Sequence, residues 1–405
     1  MNSPVPHRHP ATPRKVPGLR AFAVLLNIGT PDPREWQALG EALLVGDEPM
    51  DRLVEWMSGE RAGGPATTRP LFERALREGI SSIPDAPEPL REFFGRYETA
   101  PDWVDWPTIR RAEQVFRMGG TDGLYIARDV ALLGGYLASG FNKTLIRTGA
   151  LEKGPAKRFA ETLQWALDVT SEEGMRPLGP GYRATMQVRL IHALVRKHVA
   201  AQPDWDSAAW GLPINQTDMA ATLVGALISP FLGAMPMGVV PARGDLAAAA
   251  HLTRYVGWLI GVRDEWLPDG FRDSVRILYH CMTAITNPDE TSAQLAMPMA
   301  DDPLGWHYPN LAGLRGRIAR AQHLSIASMF LGPTSMRQLG LPATVPPWYP
   351  LARIPVNLAR SAITRMLPGG PARAALHGRR RQERFLRTLI GDRPAVIGES
   401  VRSAA

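Results

Sequence analysis

A chain of 405 residues, 45% apolar and 21% charged, is long enough for a substantial core, as one large helical unit or as two domains. Its net charge of +7 sits at the ends: the first twenty residues carry +4, and residues 353–405 set eleven Arg against Glu383, Asp392 and Glu399, a local +8, leaving the body at −5. That distribution argues against a nucleic-acid-binding domain, which needs a basic face within its fold, and the single cysteine, Cys281, excludes internal disulfides and thiolate-built zinc or iron–sulfur clusters.

The first stretch, MNSPVPHRHPATPRKVPGLRAFAVLLNIG, carries basic residues and a short apolar run but no adjacent arginines and no A-x-A-like cleavage site. Residues 1–34 therefore read as a Pro-rich basic tail, and cytoplasm is the expected location unless a leader has been removed. Pro31–Gly59 reads as helical around a turn and cap at Gly46–Asp47. Gly63–Thr68 reads as a loop, Pro70–Gly79 and Leu90–Glu98 as helices, and a further helix starts near Pro107 and stops at Gly119–Gly120. In Leu124–Leu145 the run ALLGGYLASGF gives a helix whose Gly134, Gly135, Ala138, Ser139 and Gly140 leave a face almost free of side chains. Such a face admits another helix or a flat cofactor.

Lys153–Asp168 begins a helix at or near Pro155, with Arg158 and Thr162 one turn apart on one side and Phe159, Leu163 and Ala166 on the buried side. After a Gly- and Pro-punctuated loop, Ser171–Pro180, comes GYRATMQVRLIHALVRKHV, residues 181–199. Met186, Leu190 and Leu194, with Val188, Ile191 and Val195, recur at helical spacing, and Arg183, Arg189, Arg196 and Lys197 form the polar remainder. His192 lies in the apolar middle and points inward. There it is either a hydrogen-bonded structural residue or a ligand to something buried.

WGLPINQTDMAATL, residues 210–223, is a loop-to-helix entry at which Thr217 or Asp218 can accept first-turn amides. Ala220–Val240 has twenty-one residues without charge, but Pro230, Pro236 and three glycines break it, so buried helices lining a cavity explain it better than a membrane span. Ala247–Leu267, Gly270–Ile285, residues 314–331, residues 354–367 and Arg379–Ile390 complete the helices. Alternating Val/Ile/Thr runs are almost absent, so the fold class is all-α. The Arg-rich end is a solvated surface helix or a loose attachment to an anionic membrane surface or polyanion.

The chemistry search is mostly negative. No P-loop, no glycine-rich fingerprint after a strand, no H-E-x-x-H and no G-x-S-x-G is present. His7 and His9 fall in the tail, and His192 and His198 face different sides of their helix. Cys281, in LYHCMTAI, reads as a small inert hydrophobe. A haem asks less of a sequence: one axial histidine, walls of small and apolar residues, and a cation for the propionates. His192, the Gly134–Gly140 wall and nearby arginines meet that description.

Read together, GDEPMDRLVEWM (46–57), RLIHALVRKH (189–198), WGLPINQTDMAATL (210–223) and RYVGWLIGVRDEWLP (254–268) resemble the latex-clearing-protein family of bacterial rubber oxygenases, over roughly residues 35–345. Its wider superfamily includes a fungal endoplasmic-reticulum oxygenase that cleaves a terpenoid side chain. The resemblance implies an all-helical, globin-like core, residues 35–345, binding one b-type haem, with an Arg-rich helical extension over 346–405. It puts the proximal iron ligand on His192 and the distal Arg and Thr on Arg158 and Thr162. Gly135, Leu137 and Ala138 would wall the cofactor, and Lys143 could close the iron in a resting state. The chain departs from the rubber-cleaving pattern at the family's E-K-T run and beside the distal Thr. Asn142 stands in NKT (142–144), where an amide cannot take a proton, and Glu161 stands beside Thr162, so the base has moved across the pocket or is not needed.

The expected function is a haem b-dependent oxygenase using O2 on an apolar, unsaturated isoprenoid or lipid, most concretely a dioxygenase cleaving a carbon–carbon double bond. Segment 220–240 is the expected cavity wall, with Leu137 and Phe141 opposite. The alternatives are a peroxidase or monooxygenase of the same fold, and a non-catalytic haem- or lipid-binding helical protein.

Overall fold

A computed structural model describes residues 5–149, 151–152, 154–393, 395 and 397. The first four residues of the expected tail, Lys153 and the end of the Arg-rich segment, Glu399 included, lie outside the described residues. In chain order the helices are α1 (Pro17–Leu25), α2 (Pro33–Ala42), α3 (Glu48–Ser58), α4 (Gly64–Glu78), α5 (Glu88–Tyr97), α6 (Trp106–Met118), α7 (Gly120–Ile126), a π-helix (Ala127–Leu132), the single turn α8 (Leu133–Gly135) and α9 (Ser139–Arg147). They continue with α10 (Pro155–Val169), α11 (Pro180–Ala200), α12 (Ser207–Trp210), α13 (Gln216–Ala234), α14 (Arg243–Ile260), α15 (Phe271–Ile285), α16 (Glu290–Asp301), α17 (Ala312–Gln338), α18 (Trp348–Met366) and α19 (Gly370–Ile390). Among the described residues no strand forms, and the fold is all-α; an isolated bridge joins Ala138 to Asn287.

The prolines explain much of this punctuation. α1–α6, α10, α11 and α19 all carry Pro in their first two positions, where a missing N–H costs nothing and the fixed φ suits the helix. Pro65 so placed lets α4 begin at Gly64, and the loop expected at Gly63–Thr68 is instead its first turn, with the Thr68 hydroxyl donating to Met57 O at 2.9 Å. Pro70 then sits inside α4 at the loss of one backbone bond.

The core is organised around α13. It is long and apolar enough to cross a membrane, but it is mostly buried, packed against α2, α7, α14, α15 and the π-helix. The main core cluster draws on α2–α6, α11 and α13–α15. A second cluster joins the α8 region to α16 and α17, and a third joins α10 to α19.

Two expectations change. Leu124–Leu145 is not one helix: it passes from α7 into a π-helix, makes one more turn, breaks at Tyr136–Ala138 and restarts as α9. The glycines there give too little local preference to hold a straight helix against the packing. Residues 5–34 are not a free tail either. Arg8 is buried and paired with Asp218 at 2.7 Å, the Arg14 guanidinium donates to Ala284 O and Arg8 O at 3.1 Å, and α1 packs on α15 and α17.

Candidate active site

The helix carrying His192 is held by a buried polar hub. Arg189 Nε and Nη2 donate to the two oxygens of Asp47 at 2.6 and 2.7 Å, Nη1 donates to Leu259 O, and Nη2 also meets Tyr97 Oη. Arg196 is fixed on Asp51 at 2.8 Å and on Ile214 O. Gln216 donates to Gly46 O and Gly261 O, and its carbonyl accepts from Arg263 N, all at 2.9 Å. The four motifs, far apart in sequence, thus meet around one stretch of α11. Asn215, not Thr217 or Asp218, caps α13 by accepting from Asp218 N; Thr217 donates to Leu39 O, and Asp218 is taken by Arg8. Asp47 holds the N-cap position of α3 but spends its carboxylate on Arg189.

His192 lies one turn beyond Arg189 and one before Arg196. Desolvation first, and then the Arg196 charge, lower its pKa to about 4 against the opposing pull of Asp47, so the imidazole is neutral at neutral pH. Its Nδ1 is buried without a hydrogen-bond partner. The residue nevertheless keeps part of its surface accessible. A structural histidine would engage its nitrogens in hydrogen bonds. A neutral, unengaged imidazole is instead what a metal requires of its ligand.

A cavity of about 570 Å³ is lined in part by the α10 residues Phe159, Thr162, Leu163 and Ala166. Small residues of α13 at helical spacing, among them Ala221, Gly225, Ser229 and Gly233, form one wall, and Gly134, Gly135, Leu137, Ala138 and Phe141 form another. Its size and apolar lining suit a large flat cofactor or an apolar ligand. Of segment 220–240, expected as cavity wall, residues between 221 and 233 line it. Of the bare face, Gly135 has open space where a side chain would be, whereas Gly134 abuts Leu331 and Gly140 abuts Arg8. The stretch serves helix packing and the cavity at once.

The cavity collects Thr162, Gly135, Leu137 and Ala138 from the expected site residues. His192, Arg158, Glu161 and Asn142 are not among its lining residues. The Thr162 hydroxyl donates back to Arg158 O at 3.2 Å, and Arg158 and Glu161 are half-buried on the same helix. Asn142 is fully buried and donates to Tyr136 O at 2.7 Å and Thr291 Oγ1 at 3.1 Å, because the break before α9 turns it toward α16. Lys143 is paired with Asp289 at 2.9 Å. Sequence reading missed part of the polar lining: Arg14, Lys15 and Thr286 line the cavity, and Thr286 Oγ1 is buried without a partner. The signal was the basic pair Arg14–Lys15, separated only by Val16 from the proline that starts α1. Cys281 is fully buried, and burial pushes its thiol well up, so it is an inert hydrophobe.

Residues 123–366 match the family described as ER-bound oxygenase mpaB/B′/rubber oxygenase, catalytic domain. A rubber oxygenase from Streptomyces sp. (strain K30) is 28% identical over 191 residues, which is 45% of this chain and 45% of that protein, so the aligned stretch spans under half of the relative. The solved structure of latex clearing protein in its closed state superposes with a TM-score of 0.60 at 20% identity, covering 85% of this chain and 91% of that one, and shares the fold. With more than half of its length matched by the catalytic domain, the chain belongs to the mpaB/rubber oxygenase family.

Proposed function

We propose that this protein is a haem b-dependent oxygenase that cleaves a carbon–carbon double bond of an apolar isoprenoid or lipid. The observation that carries the reading is His192: a neutral imidazole in the interior, one nitrogen with no partner, on a helix fixed by the buried Arg189–Asp47 pair and the half-buried Arg196–Asp51 pair. His192 would hold the iron, and the apolar cavity walled by Gly135, Leu137 and Ala138, which His192 does not line, would receive the substrate. Arg14 and Lys15, which also line that cavity, offer cations for a polar end of the substrate. A bound haem supplies the redox chemistry toward dioxygen; the chain supplies shape, dryness and polar contacts.

Thr162 lines the cavity, and its hydroxyl oxygen, whose proton goes to Arg158 O, could accept from a water held there. Arg158, one turn away, adds a permanent cation to that side of α10. Asn142 cannot act as a base, and Glu161 is the carboxylate nearest in sequence to Thr162. In the proposed reaction one C=C bond and one O2 become two carbonyl fragments, each keeping one oxygen atom, with no external reductant. The family match to an oxygenase domain and the apolar lining support this class of reaction.

The test is direct. The purified protein, supplemented with haem, should show a Soret band that His192→Ala loses or weakens, and with labelled O2 both product carbonyls should carry label. Absence of any Soret band overturns the reading. Label in one product atom only, with dependence on a reductase or on peroxide, replaces cleavage by monooxygenase or peroxidase chemistry.

A further inference from the structure

The polarity of α18 is inverted. Its inward face is polar: Asn357 is fully buried and donates to Met237 O at 3.0 Å, Arg353 reaches Asp122 at 2.8 Å, Arg360 lies 3.8 Å from the same carboxylate, and Thr364 is buried. Its outward face is Trp348, Leu351, Val356, Ile363 and Met366, exposed by 43, 51, 48, 56 and 81%. Ala352, Pro355, Ala359 and Ala362 fill the positions between them, and no charged residue interrupts the face. A surface helix in water shows the reverse arrangement, and an apolar stripe of this length left in solvent marks an interaction site.

The surroundings indicate what covers it. Trp348–Ile390 contains nine Arg and one acidic residue, Glu383. Arg365 and Arg373 flank the Met366–Leu367 end, Arg373 donating to Pro368 O in the turn, and Arg380, Arg381 and Arg384 are exposed on α19. A second copy of the chain seated on this face would bring an equal excess of arginine against it, an arrangement that like charges oppose. An apolar, tryptophan-bearing face bordered by unbalanced arginines fits a bilayer interface with anionic headgroups. We propose that α18 docks this protein on the surface of an anionic membrane.

The face also connects to the interior. A cavity of about 140 Å³ lies directly behind α18, lined by Val240, Arg360, Ser361 and Thr364 on one side and by Pro230 and Phe231 on the other. It shares Leu124, Ala127, Ala166 and Ala226 with the 570 Å³ cavity. An apolar chain drawn from the bilayer at α18 would have a route to the cavity walled by α13 across these shared side chains. Docking rests on the surface alone, and use of the route rests on the oxygenase reading. Vesicle binding is measured without turnover, so the two can fail separately.

The experiment is sedimentation of the full chain with phosphatidylcholine vesicles, with and without one third phosphatidylglycerol, at low and high salt, alongside its size in solution. Binding is expected to the anionic vesicles and to weaken with salt. Leu351→Ser/Ile363→Ser/Met366→Ser should lower it by about tenfold or more while leaving the far-UV spectrum and melting unchanged, because these side chains contribute no core packing. Arg373→Gln/Arg381→Gln should lower binding to the anionic vesicles by about fivefold per arginine. Three outcomes overturn the proposal: no binding to anionic vesicles at low salt, binding unchanged in the triple serine variant, or a parent dimer that this variant converts to monomer, which would assign the face to a second copy.

Discussion

Arg189 and Asp47 form a two-point ion pair, at 2.6 and 2.7 Å, between side chains that are both almost completely buried, one helical turn before the candidate iron ligand His192. The pair joins α11 to the start of α3. Removing one partner strands the other charge in the interior, so Asp47→Ala should destabilise the protein by about 3–5 kcal/mol, whereas Asp47→Ala with Arg189→Met should recover most of that loss. Denaturant unfolding of the four members of the cycle checks it. Equal loss in the single and double variants would show that the pair does not act as a unit.

Gly261 closes α14 with φ of +91°, and a side chain there would meet the Asp47 carboxylate at 2.3 Å. Both the left-handed backbone and the close approach demand glycine. Gly261→Ala should lower stability by about 2 kcal/mol or more, and in the Asp47→Ala background it should still cost about 1 kcal/mol, since that variant removes the clashing carboxylate but not the left-handed backbone.

Gly135 faces open space on the cavity wall, unlike Gly134, which already touches Leu331. Gly135→Leu should therefore keep the fold and its melting temperature while filling part of the cavity and lowering turnover or ligand uptake by at least about tenfold. Gly134→Leu should destabilise instead, because overpacking against Leu331 costs about 1–3 kcal/mol. Thermal melts paired with ligand titrations separate the two.

Arg8 ties the N-terminal segment to Asp218, on the helix that walls the cavity. Arg8→Ala should cost about 3 kcal/mol by leaving the Asp218 carboxylate buried without its partner. It should also make residues 5–30 newly sensitive to limited proteolysis, read by mass spectrometry. Cleavage there at the parent rate would show that the segment is held by other contacts.

Glu113 is fully buried, and desolvation pushes its carboxyl up to about 7, opposed by the N–H groups of Glu173 and Met175. Its folded pKa lies above its unfolded value, so its share of stability is fully present below the unfolded pKa of about 4.5 and is lost as pH rises through about 7. Glu113→Gln removes that loss. The variant should be the more stable protein at pH 8, by a few kcal/mol at most from about 1.4 kcal/mol per pKa unit, and the difference should vanish near pH 4. Melting temperatures of parent and variant across that range test the slope, and parallel curves would contradict it.

Local pattern settled a good deal. The three- and four-residue spacing of Met186, Leu190 and Leu194 defined α11 and pointed His192 inward, and the same kind of spacing gave most of the other helices, because helix amphipathicity is written within a few residues. The charge-free run of α13 identified the cavity wall, since small residues at helical spacing pack closely or leave space whatever surrounds them. α16 went unread: its run ETSAQLAMPMAD carries an internal proline and a weak apolar stripe, and its start is fixed by the Asp289 cap.

Long-range pairing was invisible by contrast, because one polar group can satisfy another from any distance along the chain. Nothing near Asp47, Arg189 or Gln216 announced that four separate motifs would meet at one hub, or that Arg8 would fold back 210 residues to Asp218. The break before α9, which turns Asn142 from the cavity toward Thr291, followed from packing that overrode a weak glycine-rich preference. The amino-acid order alone determined most of the helices and the inward direction of His192. Only the tertiary structure decided which polar groups neutralise one another and which apolar face, that of α18, is left uncovered, because both depend on what the remaining chain brings alongside.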